Sequence, residues 1–262
     1  RLFYRLWVPE RARGLLILVH GFGEHGGRYT TVADALAASG FAVACPDLWG
    51  HGRSAGRRGD IEAFGQYLND LQALTDQTFV VETGQSRYTI FGHSFGGLVA
   101  IQWDAASPSG LQSLILQAPL LEVAFAVPAW KRRLAQVLQC WWPLGTLTTG
   151  LNPDALSHDP AVGRAYRQDP LVHRRISVRA YAALTSAMEQ AKALSPRIMA
   201  PTLLLYGTED CIVSIAACER WFERLTCERH AVPFPKCYHE LHHEPVAPDV
   251  IKQCVQWVEA NA

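Results

Sequence analysis

The stretch Tyr88-Thr89-Ile90-Phe91-Gly92-His93-Ser94-Phe95-Gly96-Gly97-Leu98-Val99-Ala100-Ile101 decides the reading of this chain. An apolar run leads into G-x-S-x-G, and small, apolar residues follow, in the order strand, sharp turn, helix. In that setting the motif marks a nucleophilic serine rather than an ordinary Gly-rich β–α turn. A serine hydroxyl attacks only when it is exposed, oriented and deprotonated by a neighbouring base. The turn lifts Ser94 above the end of the sheet, and the flanking glycines admit neighbouring backbone without a Cβ clash.

Working outward, Leu15-Leu16-Ile17-Leu18-Val19, Phe41-Ala42-Val43-Ala44-Cys45, Leu114-Ile115-Leu116 and Thr202-Leu203-Leu204-Leu205-Tyr206 are further short apolar runs. Runs without alternation suit parallel strands buried on both faces. Helical patterns over residues 31–39, 64–81 and 214–225 lie between them, which predicts a mostly parallel α/β sheet. Ligands of such sheets bind beyond the carboxyl ends of the strands. From about residue 120 to 195 no buried-strand run occurs, and the pattern turns helical with several prolines. We read this insertion as a helical cap over the site, carried by a core of residues 1–119 and 196–262.

Within the insertion, Trp130, Leu134, Val137, Leu138 and Trp141 recur at helical spacing after Pro128, and Lys131-Arg132-Arg133 fall in the first turn. Positive charge there opposes the helix dipole. Charged side chains then vanish from 134 to 153, a run broken by Pro143, Gly145 and Gly150 and so unsuited to spanning a bilayer. Two readings stay open: an apolar face packed on the core, or a peripheral surface that meets lipid.

The chain's 24 basic and 24 acidic side chains cancel to a formal net charge of zero. Without a basic surface, nucleic acid is excluded as the main partner. The seven cysteines are odd in number and form no C-x-x-C pair, so neither zinc spacing nor a disulfide framework is expected. The opening residues alternate like a strand and lack the apolar segment of a secretory signal. Together these give the expectation of a cytoplasmic setting with reduced thiols.

A serine nucleophile needs a base, and the base needs an acid that fixes its tautomer. In this fold class the chain order is Ser, then Asp or Glu, then His. Tyr206-Gly207-Thr208-Glu209-Asp210 closes a strand and offers Asp210, with Glu209 as the adjacent rival. Ala231-Val232-Pro233-Phe234 reads as the last strand, and His239 lies in the loop beyond it. Of the ten histidines, His20, His25, His51 and His93 precede the nucleophile, His158 and His173 fall in the cap, and His230 starts the last strand. His242 and His243 are the near rivals of His239. The oxyanion of acyl transfer calls for two backbone donors. Phe95 N–H, next after the nucleophile, is one, and Phe22 N–H in the loop after Leu18-Val19-His20-Gly21 is the other. His20 and Asp47 read as structural hydrogen-bonding residues of their loops.

His20-Gly21-Phe22-Gly23-Glu24-His25-Gly26-Gly27-Arg28-Tyr29, Asp47-Leu48-Trp49-Gly50-His51-Gly52-Arg53-Ser54 and Gly92-His93-Ser94-Phe95-Gly96-Gly97 resemble the signatures of monoacylglycerol lipases and related lysophospholipases. Asp169-Pro170-Leu171-Val172 and Tyr238-His239-Glu240-Leu241-His242-His243-Glu244 are similar as well. The resemblance implies an α/β-hydrolase fold with a mobile cap, no metal and no cofactor, and Ser94, Asp210 and His239 as the triad. It also implies Glu24, Arg28 and His242 as contacts for the polar alcohol of a small lipid ester. The family often has a small residue or Met where Phe22 and Phe95 stand, so these rings are expected to narrow the pocket. The reading is thus a serine hydrolase of carboxylic esters, monoacylglycerols first, with lysophospholipase or general carboxylesterase as the neighbouring alternatives. A serine peptidase is the more distant enzyme reading, and a catalytically idle ligand receptor the non-enzyme one.

Overall fold

The computed structural model describes residues 1–125, 137–138 and 140–261. Trp130, the basic cluster 131–133 and Leu134 lie outside the described residues.

Each apolar run becomes a strand. The main sheet contains β1 (Phe3–Trp7), β2 (Leu15–Val19), β3 (Ala42–Asp47), β4 (Tyr88–His93), β5 (Leu111–Gln117), β8 (Thr202–Gly207) and β9 (Arg229–Phe234), in the order β1-β3-β2-β4-β5-β8-β9. β1 runs antiparallel to β3, and every other pairing is parallel. The unalternating runs are explained by burial on both faces. In β2, Leu15, Ile17 and Val19 enter one core, and Leu16 and Leu18 the other.

The first core lies under α2 (Gly65–Leu74), which passes through a π-turn at Thr75–Phe79 into α3 (Val80–Thr83), and under α4 (Phe95–Asp104). Trp103 of α4 is fully buried, stacks on Tyr88 at 5.7 Å and donates its indole N–H to Gln72 at 3.0 Å. The second core lies under α1 (Thr30–Ala38) and α8 (Ala247–Ala260).

The segment between β5 and β8 includes a two-stranded antiparallel pair, β6 (Thr146–Thr148) with β7 (Arg175–Ser177), and helices α5 (Pro160–Gln168) and α6 (Val178–Ala193). Its two ends behave differently. Helix α6 returns to the core: Gln102 of α4 donates to the Ala187 carbonyl at 2.9 Å, and Trp221, in α7 (Ile215–Phe222), donates to that of Ala191 at 2.9 Å. Arg179 at its start grips Asp60 with two bonds of 2.9 and 2.6 Å, and Ser177 adds a third at 2.6 Å. Between residues 137 and 147 several apolar side chains instead face outward. Trp141 is 87% exposed and Trp142 60%, and Val137, Leu144 and Leu147 are exposed beside them in sequence. Within the described residues no helix is long and apolar enough to cross a membrane.

The position of the site follows from the sheet order. β4 is central, flanked by β2 and β5, with β8 and β9 beyond. Their carboxyl ends therefore present, side by side, the loop of Phe22, the turn of Ser94, Gln117, the loop of Asp210 and the loop of His239. The turn from β4 to α4 fits only because of its glycines. A Cβ on Gly92 would stand 2.6 Å from the Gly96 carbonyl oxygen, and one on Gly96 would strike the Val19 carbonyl. Gly96→Ala is therefore expected to destabilise the protein by about 2 kcal/mol or more, because backbone cannot yield as a flexible side chain would. Gly65→Ala, whose added methyl meets nothing within 4 Å, should be neutral or slightly stabilising. Urea midpoints of the two variants check the contrast, and equal midpoints would refute it.

Candidate active site

Ser94 has φ 52° and ψ −114°, a left-side backbone conformation that a non-glycine residue adopts only under constraint. Three backbone bonds hold it there. Its N–H donates to Gln117 O at 2.9 Å, and its carbonyl accepts from Leu98 N at 3.2 Å and Leu120 N at 2.9 Å. It immediately precedes α4, so Phe95 N–H is one of the first-turn amides that a helix leaves without an internal partner. That amide also lies at the positive end of the helix dipole, where a developing oxyanion is favoured.

Asp210 follows β8 and is anchored by its own loop: Oδ1 accepts from Ile212 N at 2.8 Å and from Val213 N at 3.1 Å. Its other oxygen, Oδ2, lies 2.6 Å from Nδ1 of His239. A carboxylate facing Nδ1 makes that nitrogen the donor, which leaves Nε2 free to accept a proton. Burial pulls the His239 imidazole down, but the Asp210 charge and hydrogen bond outweigh it, so the ring stands above its ordinary value. The neighbouring candidate Glu209 instead donates its backbone N–H to Cys237 O at 3.0 Å.

On the other side, the β2–α1 loop is braced rather than open. His20 donates Nδ1–H to Gly21 O at 2.7 Å and accepts from Leu48 N at Nε2, 3.0 Å, so it is the structural residue expected. Asp47 accepts from Gly26 N at 2.9 Å and Arg53 N at 2.8 Å, again as expected of a turn acceptor. The segment between β5 and β8 lies on this loop. His173 N–H donates to Gly23 O at 2.8 Å, His25 Nε2 pairs with Asp169 at 2.9 Å, and the Arg28 guanidinium sits 4.9 Å from the Tyr166 ring centroid. Tyr166 and Asp169, at the end of α5, thus bind core side chains.

Glu24, Arg28 and His242 come together, and both Glu24 oxygens and the Arg28 Nε and Nη2 atoms are bonded within the protein. Glu24 Oε1 accepts from Gly21 N and from Tyr29 O–H, both at 2.6 Å, and its Oε2 accepts from Arg28 Nε at 2.7 Å. Arg28 Nη2 then bonds both oxygens of buried Glu240, at 2.8 and 2.6 Å, and His243 completes Glu240 at 2.6 Å. His242 stacks on Tyr29 at 4.5 Å and faces the Gln117 amide through Nδ1 at 2.9 Å. Glu24 and Arg28, implied by the resemblance as alcohol contacts, take part in a buried charge network with Glu240 that joins the loop of Phe22 to the loop of His239.

Among the described residues, two groups, Glu240 with His242 and His243, and Glu24 with His93 and Glu240, place possible ligand atoms within 4.8 Å of one another. The Arg28 cation already bonds Glu240 in both groups and Glu24 in the second, which disfavours a metal ion there.

The expected narrowing by two phenyl rings is corrected for one of them. Phe95 is fully buried, packed edge-on against Phe22 at 5.5 Å and Tyr67 at 5.2 Å, and it belongs to the core. Phe22 is half-buried at the rim of that cluster, against His51 and His173. Residues not singled out from the sequence include Gln117, Glu240 and the Asp60–Arg179 latch. The polar end of the run Leu114-Ile115-Leu116-Gln117, falling at the active edge of the sheet, was the available signal for Gln117.

Residues 10–246 match the family model described as serine aminopeptidase, S33. The chain belongs to that family. A monoacylglycerol lipase of Mycolicibacterium smegmatis is 31% identical over the whole of this chain and 94% of its own length. The crystal structure of a Paleococcus ferrophilus monoacylglycerol lipase superposes with a TM-score of 0.92 at 32% identity, covering all of both chains. An uncharacterised abhydrolase-domain protein of Dictyostelium discoideum is 30% identical over 97% of this chain, which spans only 27% of that longer protein. The S33 family core, with its mostly parallel seven-stranded sheet, is an α/β-hydrolase fold.

The raised His239 imidazole fixes the sign of a pH dependence. A base must be unprotonated to act, so kcat/KM should fall as pH drops through the His239 pKa. Asp210→Asn removes the charge that raises it, and the acid limb should move to lower pH while kcat falls by about three to four orders of magnitude. A pH–rate profile checks this, and an acid limb left in place would contradict it.

Proposed function

We propose that this chain is a cofactor-free serine hydrolase that cleaves monoacylglycerols to glycerol and fatty acid. The observation that carries the proposal is the 2.6 Å bond between Asp210 and His239 Nδ1, beside a strained Ser94 turn at the end of the central strand. The near-full-length likeness to monoacylglycerol lipases supports the substrate class.

In the proposed cycle, His239 Nε2 takes the Ser94 proton as Oγ attacks the ester carbonyl. The Asp210 carboxylate stabilises the imidazolium and holds its tautomer. The Phe22 and Phe95 amides receive the oxyanion. The tetrahedral intermediate collapses, and the alcohol leaves with the proton from His239. Water, deprotonated by the same ring, then releases the fatty acid from Ser94. Glu24 and Arg28 serve the site at one remove, by holding the Phe22 loop against the His239 loop.

The segment 120–195 acts as the cap in this reading. Its exposed Trp141, Trp142, Val137 and Leu144 form a peripheral contact with the lipid surface from which substrate is drawn, as amphipathic aromatic side chains favour the interface. Acyl chain buried beneath the cap adds up to about 0.8 kcal/mol per methylene. Additional chains on glycerol would compete for the same confined space.

The test is kcat/KM for mono-, di- and triacylglycerols of one acyl length, with a soluble short ester as reference. Monoacylglycerol should lead, and a preference for triacylglycerol or for peptide amides would overturn the substrate reading. In the same assay, replacing Trp141 and Trp142 by serine should lower turnover of vesicle-borne substrate and spare the soluble ester. Equal loss on both would remove the membrane contact from the proposal.

A further inference from the structure

Gln117 closes β5 as the register partner of His93 in β4, so the two side chains stand on one face of the sheet. It reaches three parts of the site. Its carbonyl accepts the Ser94 N–H at 2.9 Å. Its side-chain nitrogen lies 2.9 Å from His93 Nδ1 and 2.9 Å from His242 Nδ1. His242 belongs to the short 3-10 turn Leu241–His243, just past His239. The His93 ring in turn lies against the His239 ring, with centroids 4.6 Å apart. One buried side chain therefore links the nucleophile turn, the ring beside the base, and the loop that carries the base.

An amide –NH2 only donates. Each Nδ1 that faces it must offer a lone pair, and a neutral ring then carries its single proton on Nε2. A proton added to either ring would land on the nitrogen that already faces a donor. The groups around the pair also bear on charge. His93 is faced by His239, His242, Glu24, Arg28, Tyr29, His243 and Glu240, and His242 by Tyr29, Arg28, His243, His93 and Glu240. Glu240 favours a cation, yet it is already bound to Arg28 and His243. Burial first, and then the neighbouring imidazoles, hold both rings well below the ordinary histidine value. Nε2 of His242 and Oε1 of Gln117 are buried without a hydrogen-bond partner, so this assembly carries a desolvation cost that an all-apolar packing would avoid.

We propose that Gln117 is a positioning residue for the hydrolysis: its amide fixes His93 and His242 as Nε2–H tautomers, keeping an uncharged ring against His239 and the base loop registered on the Ser94 turn. The proposal rests on the reading of His239 as the base. When His239 becomes an imidazolium, an uncharged His93 does not repel it, and Asp210 remains its dominant electrostatic partner.

The test begins with the unaltered protein. Histidine 15N shifts should give Nε2–H tautomers for His93 and His242 across the pH range of activity. Either ring found as the Nδ1–H form would overturn the proposal, whatever any variant does. Gln117→Met keeps the shape and removes the donors. It should lower kcat by about tenfold to a hundredfold with KM for a soluble ester unchanged. In the variant, histidine 15N shifts should show the Nδ1–H form populated at His93 or His242, a change a merely structural role of Gln117 would not produce. Unchanged kcat, or a lower kcat with both rings still Nε2–H, would overturn it. Should Gln117→Met fail to fold, the tautomers of the unaltered protein decide alone. Failure of the base reading is distinguishable, since it would appear as an active His239→Ala enzyme with both tautomers as stated.

Discussion

The site depends on one backbone constraint, the positive φ of Ser94 between β4 and α4. Such a conformation costs of order 1–3 kcal/mol in a non-glycine residue and persists only where its surroundings over-determine it. Here β5 supplies an acceptor for the Ser94 amide, and α4 and the chain after Ala118 supply donors for its carbonyl. Gly92 and Gly96 let α4 start against the end of β2. The same closeness sets the amide of Phe95 beside the loop of Phe22. In the proposed reading, orientation of the nucleophile and supply of an oxyanion donor are thus two outcomes of a single turn.

Around that turn the protein places an unusual density of buried charge and imidazole. Glu24, Arg28 and Glu240 form a chain of ion pairs whose members are nearly inaccessible. Buried pairs contribute little net stability, and loss of one partner leaves an uncompensated charge. What this network does supply is registration. Its partners lie 212 residues apart in sequence, and they hold the loop of Phe22 to the loop of His239. Gln117 does the same between the nucleophile turn and that loop. A site assembled from five strand ends needs such cross-links, because each loop on its own is free to drift by more than the chemistry tolerates.

Which parts were legible in the sequence follows from the range of the interactions. The strands of the main sheet could be read because burial on both faces leaves a local, unbroken apolar run, as in Leu15–Val19 and Thr202–Gly207. Ser94 and Asp210 could be singled out because each stands just past such a run, and His239 because the fixed chain order calls for a histidine after the last strand. For Glu24 and Arg28 only the family resemblance offers a role, as substrate contacts, because their partners in the fold leave no local mark. Glu240, which satisfies Arg28, is too distant in sequence to signal the pairing. Gln117 was missed for the same reason: its acceptors on His93 and His242 lie 24 and 125 residues away. The return of α6 to the core rests on Trp221 and Gln102, neither of which carries a local mark of that role.

The central claim is that Ser94 is the nucleophile and that His239 and Asp210 activate it. Its most direct test is labelling of the whole chain with a fluorophosphonate, followed by intact mass and peptide mapping. One equivalent should attach to Ser94, Ser94→Ala should stay unlabelled, and His239→Ala should react far more slowly. Stoichiometric labelling of a different serine, or equal labelling of Ser94→Ala, would contradict it.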